Sequence, residues 1–132
     1  MASIFSKIIK GEVPCYKIAE NDNYFSFLDI NPIAEGHTLV VPKKEVDYVF
    51  DLDEEALSGL MSFSKKIARA IDSSLGTIRT GIIVEGLEVP HAHIHLVPIY
   101  FEGQPMSLGR KTEISEQRMK EISELINKAV EQ

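Results

Sequence analysis

Three of the chain's four histidines fall within five residues, in the run Val89-Pro90-His91-Ala92-His93-Ile94-His95-Leu96-Val97. Successive side chains of an extended strand point to opposite faces. His91, His93 and His95 would then share one face, and Ala92, Ile94 and Leu96 the other. The apolar face can pack on a core. The other face becomes a row of imidazoles spaced about 7 Å apart. The pattern predicts a strand over His91 to Ile99, with Pro90 at its start and Pro98 near its end.

Three readings of this face are open. The histidines can be structural, each satisfying local hydrogen bonds. They can be metal ligands, because three imidazoles hold zinc with an open catalytic position. They can also form an anion site. Near neutral pH an imidazole serves as nucleophile, acid, base or hydrogen-bond donor to phosphate. Phosphoryl transfer needs an in-line nucleophile and donors around the phosphorus, which neighbouring histidines supply together.

At 132 residues the chain is the size of one domain, 1–132, and its 44% hydrophobic share is ample for a core. The formal net charge of −6 argues against a nucleic-acid polymer as partner. A single small anionic ligand remains compatible with it. No stretch approaches the roughly 18 apolar residues of a membrane span, and the N-terminal residues lack a signal-peptide run. Cys15 stands alone and forms no internal disulfide, which fits a reducing, cytoplasmic compartment.

The periodicities give the remaining elements. Ile4 to Lys10 reads as a short helix with Ile4, Phe5, Ile8 and Ile9 on its apolar face. Tyr16 to Ala19 and Tyr24 to Leu28 form a hairpin around Asn21, Asp22 and Asn23. Thr38 to Val41 is a strand ended by Pro42. A long helix runs from about Asp53 to Ser73, with Asp51 and Glu54 as a capping box. Its stripe is Leu57, Leu60, Met61, Ser64, Ile67, Ala68 and Ile71. Thr77 to Val84 reads as a buried strand. The core spans about 4–99. A loop and a helix fill about 101–131, the helix from Ser115 with Met119, Ile122, Leu125, Ile126 and Ala129 on one face. The fold class is α+β: a mainly antiparallel, five-stranded sheet with one long helix and terminal helices.

With the triad strand, three further stretches resemble the histidine triad (HIT) family of nucleotide hydrolases and transferases. These are Ile4 to Pro14, Phe27-Leu28-Asp29-Ile30-Asn31-Pro32, and Gly36-His37-Thr38-Leu39-Val40-Val41-Pro42-Lys43. The resemblance runs from about Ile4 to Val97 in motif order, and is nearest to the bacterial Hint-like, nucleoside phosphoramidase branch.

The resemblance implies a role for each matching residue. His93 would attack an α-phosphorus and form a nucleotidyl-histidine, which water then releases. His91 would orient and polarise His93, His95 would contact the phosphate near the leaving group, and His37 would buttress the triad. Asp29 would accept hydrogen bonds from ribose hydroxyls. Phe5, Ile8, Phe27, Ile30 and Leu39 would line the base pocket. Read without the resemblance, those apolar residues are ordinary core and Asp29 is a turn residue. The family usually pairs as a homodimer, and Tyr48, Val49 and Phe50 are the expected contact residues.

The chain departs from the family at two places. Val84, Leu87 and Glu88 stand where many relatives carry Asn, Gln and Ser or Thr near the phosphate. Glu88 would replace the hydroxyl as proton donor or water activator. Some bacterial relatives bind a structural zinc through an N-terminal Cys-x-x-Cys pair and two histidines. Ser3, Ser6 and Glu45 stand at the first three of those positions. Hydroxyls are poor zinc ligands, so no metal and no cofactor are expected. The expected activity is cleavage of a purine nucleoside phosphoramidate or related nucleotide conjugate at the α-phosphate. Dinucleoside polyphosphate hydrolysis and a low-activity nucleotide-binding role are the alternatives, with a zinc hydrolase built on His91, His93 and His95 as a further rival.

Overall fold

The structure, a computed structural model, describes residues 2–130. The expected domain span also takes in residues 1, 131 and 132, which lie outside them. Helix α1 (Ile4–Ile9) leads into strands β1 (Lys17–Glu20), β2 (Tyr24–Leu28) and β3 (Thr38–Pro42). A short 3-10 turn at Val49–Asp51 precedes the long helix α2 (Glu54–Leu75). Strands β4 (Arg79–Ile83) and β5 (Ile94–Ile99) follow, and helix α3 (Glu116–Val130) comes last. The five strands form one antiparallel sheet in the order β1-β2-β3-β5-β4.

The period-two pattern sorts the sheet into two faces. Leu28, Val40, Ile94 and Leu96 join Leu60, Phe63, Ile67 and Ile71 of α2 and Met119, Ile122 and Ile126 of α3 in the main core. Their strand neighbours Phe25, Phe27, Leu39 and Val41 turn the other way and pack with Phe5 of α1. Covering both faces explains why β2 and β3 are buried along their whole length. Each large aliphatic side chain buried in this way contributes about 1.5–3 kcal/mol.

Several local expectations are corrected. Helix α2 is capped by Asp53, whose side chain accepts from the Ala56 amide, while Asp51 belongs to the preceding 3-10 turn. Phe63 is buried and Met61 is exposed, so the stripe lies slightly round the helix from its sequence-based position. Ile4 of α1 and Leu125 of α3 are likewise exposed. The strand expected to be buried at Thr77 to Val84 is β4, an edge strand with Ile78, Ile82 and Val84 exposed. Its apolar composition matches a core strand, but its position in the sheet leaves it one neighbour. Val49, expected at a dimer contact, packs into the main core, whereas Tyr48 and Phe50 are exposed. No helix among the described residues is long and apolar enough to cross a membrane.

Candidate functional site

The histidine strand is shorter than the alternation suggests. β5 starts at Ile94, so His91 and His93 precede it in unpaired chain, with His91 in a bend. The register Leu39↔His95 and Val40↔Ile94 would set His93 opposite Val41 and then Ala92 opposite Pro42, which has no amide to donate. The chain bends away instead, and the Ala92 amide donates to the Val46 carbonyl at 2.7 Å. The imidazoles still share one face, and they are closer than the strand repeat implies. The His93 and His95 ring centroids lie 4.8 Å apart. Ala92, Ile94 and Leu96 face the opposite way, into the main core.

The hydrogen bonds fix how each ring is protonated. His93 Nδ1 faces the His91 carbonyl at 2.7 Å. A carbonyl only accepts, so Nδ1 carries the proton and Nε2 holds a bare lone pair. His37 Nδ1 receives the Ile33 amide at 3.1 Å, so the proton of this ring sits on Nε2. That N–H points at His95 Nδ1, 2.9 Å away. His95 Nδ1 is therefore the acceptor, and its Nε2 carries a proton. Among the described residues no buried side-chain nitrogen or oxygen lacks a partner. Neither of these Nε2 atoms is paired there, so both open to solvent. The site presents one nucleophilic lone pair beside one N–H donor.

The electrostatics keep these rings neutral. Burial pushes His93 and His37 below the ordinary histidine value. His95 is pushed down to about 3, first by burial and then by the neighbouring His93 and His37. Asp29 Oδ2 lies 3.5 Å from His37 Nε2 and 3.9 Å from His95 Nδ1, while its Oδ1 accepts from the Asn31 amide at 2.8 Å. His37 is delivered to this cluster by the turn at Gly36, whose φ of +87° suits glycine.

The expected base-pocket residues divide. Phe5, Phe27 and Leu39 are buried together, with Ile8 packed against them, and the Phe5 ring meets His93 edge-on at 4.9 Å. Ile30 stands apart at 69% exposed, next to Asp29. Glu88 is exposed on the segment leading to His91, close enough for its charge to raise the His93 value against the effect of burial. Leu87 beside it is 87% exposed.

Two groups offer metal donors. Asp29, His37 and His95 bring one ligand atom each within 4.8 Å of one another. The two nitrogens, 2.9 Å apart, are nearer than the roughly 3.4 Å of two imidazoles on one tetrahedral zinc, and they fit a shared proton better. The second group is Ser3, Ser6, Glu45 and His91, which the fold does gather. Its donor set of two hydroxyls, one carboxylate and one imidazole is poor for zinc. His91, His93 and His95 do not converge on one point as ligands, because both His91 nitrogens are engaged, one by Ser3 and one by the Pro42 carbonyl.

Local patterns did not reveal what holds the Asp29–His37 loop. Arg118 of α3 forks onto Glu35, the Tyr100 hydroxyl donates to the Glu35 carbonyl at 2.6 Å, and the Thr112 amide donates to the Pro32 carbonyl at 2.7 Å. The C-terminal region thus clasps the loop that carries His37. These partners lie 65 to 83 residues apart in sequence. A cleft of about 880 Å³ lies between the two segments, and none of the four histidines lines it.

A family model of the HIT domain matches residues 10–102. An adenosine 5'-monophosphoramidase of Saccharomyces cerevisiae is 38% identical over 109 residues, covering 82% of this chain and 69% of its own. Its Schizosaccharomyces pombe counterpart is 31% identical and aligns with 98% of this chain and 99% of its own. Among solved structures, a zinc-bound histidine triad family protein from Mycobacterium smegmatis superimposes with a TM-score of 0.84 at 30% identity, covering 99% of this chain and 94% of its own.

Proposed function

The chain belongs to the HIT family, and from that premise we propose that it hydrolyses a purine nucleoside phosphoramidate or related nucleotide conjugate at its α-phosphate. The observation that carries this reading is the His93 Nδ1–H donated to the His91 carbonyl at 2.7 Å. It frees Nε2 as the nucleophile. A buried, neutral imidazole is the reactive form at pH 7.

Nε2 of His93 attacks the phosphorus in line, and the bond from phosphorus to the leaving amine breaks. The His95 Nε2–H hydrogen-bonds a phosphoryl oxygen and stabilises its growing charge. The departing amine takes its proton from bulk water. The Glu88 carboxylate then takes a proton from the water that attacks the nucleotidyl-histidine, which returns His93 and releases the mononucleotide. Asp29 accepts from the ribose hydroxyls, and the exposed Ile30 side chain beside it packs on a flat base. The phosphoramidase names of the yeast relatives support this substrate class over dinucleoside polyphosphates.

The edge strand β4, with Ile82 exposed on it and Val84 exposed just after it, supports pairing of two copies into a homodimer. Sedimentation equilibrium at the mass of one chain would refute that pairing. The lone thiol of Cys15 suits a cytoplasmic setting.

Release of AMP from an adenosine phosphoramidate, in the presence of a chelator, tests the activity. Release that vanishes in His93→Ala supports the reading. AMP binding without release from either protein would point to a nucleotide-binding role instead.

A further inference from the structure

The nucleophile depends on the His91 carbonyl, and the His91 ring is tied down at both nitrogens. Nε2 faces the Pro42 carbonyl at 2.7 Å and so carries a proton. Nδ1 lies 2.7 Å from Ser3 Oγ. Ser3 Oγ accepts the Ser6 amide at 3.0 Å, and of the two acceptors its own proton can reach, His91 Nδ1 at 2.7 Å is far nearer than Ser6 Oγ at 3.4 Å, so the proton fills the Nδ1 lone pair. Glu45 then fixes the serine: one carboxylate oxygen accepts the Ser3 amide at 2.7 Å and the Ser6 hydroxyl at 2.6 Å. The result is a directional chain from Glu45 through Ser3 and His91 to His93. It occupies the positions whose donor set does not suit zinc.

We propose that Ser3, anchored by Glu45, is a positioning residue for the reaction, and that its hydroxyl holds the His91 ring so that the His91 carbonyl orients His93. This rests on the reading of His93 as the nucleophile. Ser3 is also the N-cap of α1, so its two roles must be separated. Ser3→Thr keeps both the cap and the donor. Ser3→Gly keeps most of the cap but removes the donor to His91 Nδ1. Ser3→Ala removes both.

The experiment pairs steady-state AMP release with detection of the His93 Nδ1–H resonance by nitrogen-15 NMR at neutral pH. Ser3→Thr is expected to keep the resonance and the wild-type kcat. Ser3→Gly is expected to keep the melting temperature within a few degrees, to lose the resonance to exchange with water, and to lose about 10- to 100-fold in kcat with KM little changed. Wild-type kcat and an intact resonance in Ser3→Gly would overturn the proposal. If the wild-type protein released no AMP, the hydrolase reading would fail on its own. The resonance in Ser3→Gly would still decide whether Ser3 orders His93: its loss supports the positioning role and its survival refutes it.

Discussion

His37 Nε2 lies 2.9 Å from His95 Nδ1, and the direction of that hydrogen bond is set from outside the triad by the Ile33 amide on His37 Nδ1. A residue 58 positions upstream thereby decides which nitrogen of His95 carries the proton. His37→Asn should break this link while leaving an acceptor near the Ile33 amide. The expected result is a kcat lower by about 10- to 100-fold, with nucleotide affinity changed far less. Parallel loss of AMP affinity, read by titration calorimetry, would mean that His37 serves binding instead.

Stability should fall in mild acid. His37, His93 and His95 all titrate below the ordinary histidine value in the folded chain, chiefly because burial disfavours their charged forms. In the unfolded chain they titrate near 6.5. Below about 6.5 the unfolded chain therefore binds more protons than the folded one, and stability is lost as pH falls towards the folded values, which for His95 means about 3. Each histidine adds a slope of at most about 1.4 kcal/mol per pH unit. Glu45 is held at about 2, mainly by the Ser3 amide and Ser6 hydroxyl, so its contribution is intact at pH 5 and above and is lost as pH falls from the ordinary carboxylate value towards about 2. Urea midpoints at pH 7 and pH 5 check this, with a lower midpoint expected at pH 5. Equal midpoints would contradict the neutral, buried assignment.

Glu88→Gln removes the proposed proton carrier without changing shape. The expected outcome is slower turnover and loss of the acid limb of the kcat profile against pH. An unchanged rate and profile would sink the role assigned to Glu88.

Gly59 tests packing under the sheet. Inside a helix, alanine is normally about 1 kcal/mol better than glycine. Here a Cβ at Gly59 would collide with the Tyr24 ring and hydroxyl, and that hydroxyl donates to the Ala56 carbonyl at 2.9 Å. Gly59→Ala is expected to destabilise the protein by about 1–3 kcal/mol in urea unfolding. Stabilisation would show that Tyr24 has room to move.

The sequence made the two-faced character of the triad readable, because His-x-His-x-His alternates with Ala92, Ile94 and Leu96 and a strand turns alternation into faces. It made the hairpin at Asn21 and the three helices readable through turn residues and periodicity. It overextended β5, because whether a strand continues depends on its neighbour, and Pro42 cannot pair with Ala92. It buried β4, because apolar composition does not distinguish an edge from a centre. In the sequence Ser3 stands out only as a departure from a ligand position. Its contact with His91 spans 88 residues, and no local pattern encodes such a contact. The clasp of Arg118 and Tyr100 on Glu35 was hidden for the same reason.

The central claim is that His93 Nε2 forms a bond to phosphorus, and a covalent intermediate tests it most directly. Protein mixed with an adenosine phosphoramidate, quenched within one turnover and measured by intact mass and peptide mapping, is expected to carry one adenylyl group on His93. The group should be absent from His93→Ala. AMP release from wild-type protein with no adduct at any time, or with the adduct on another residue, would contradict the assignment.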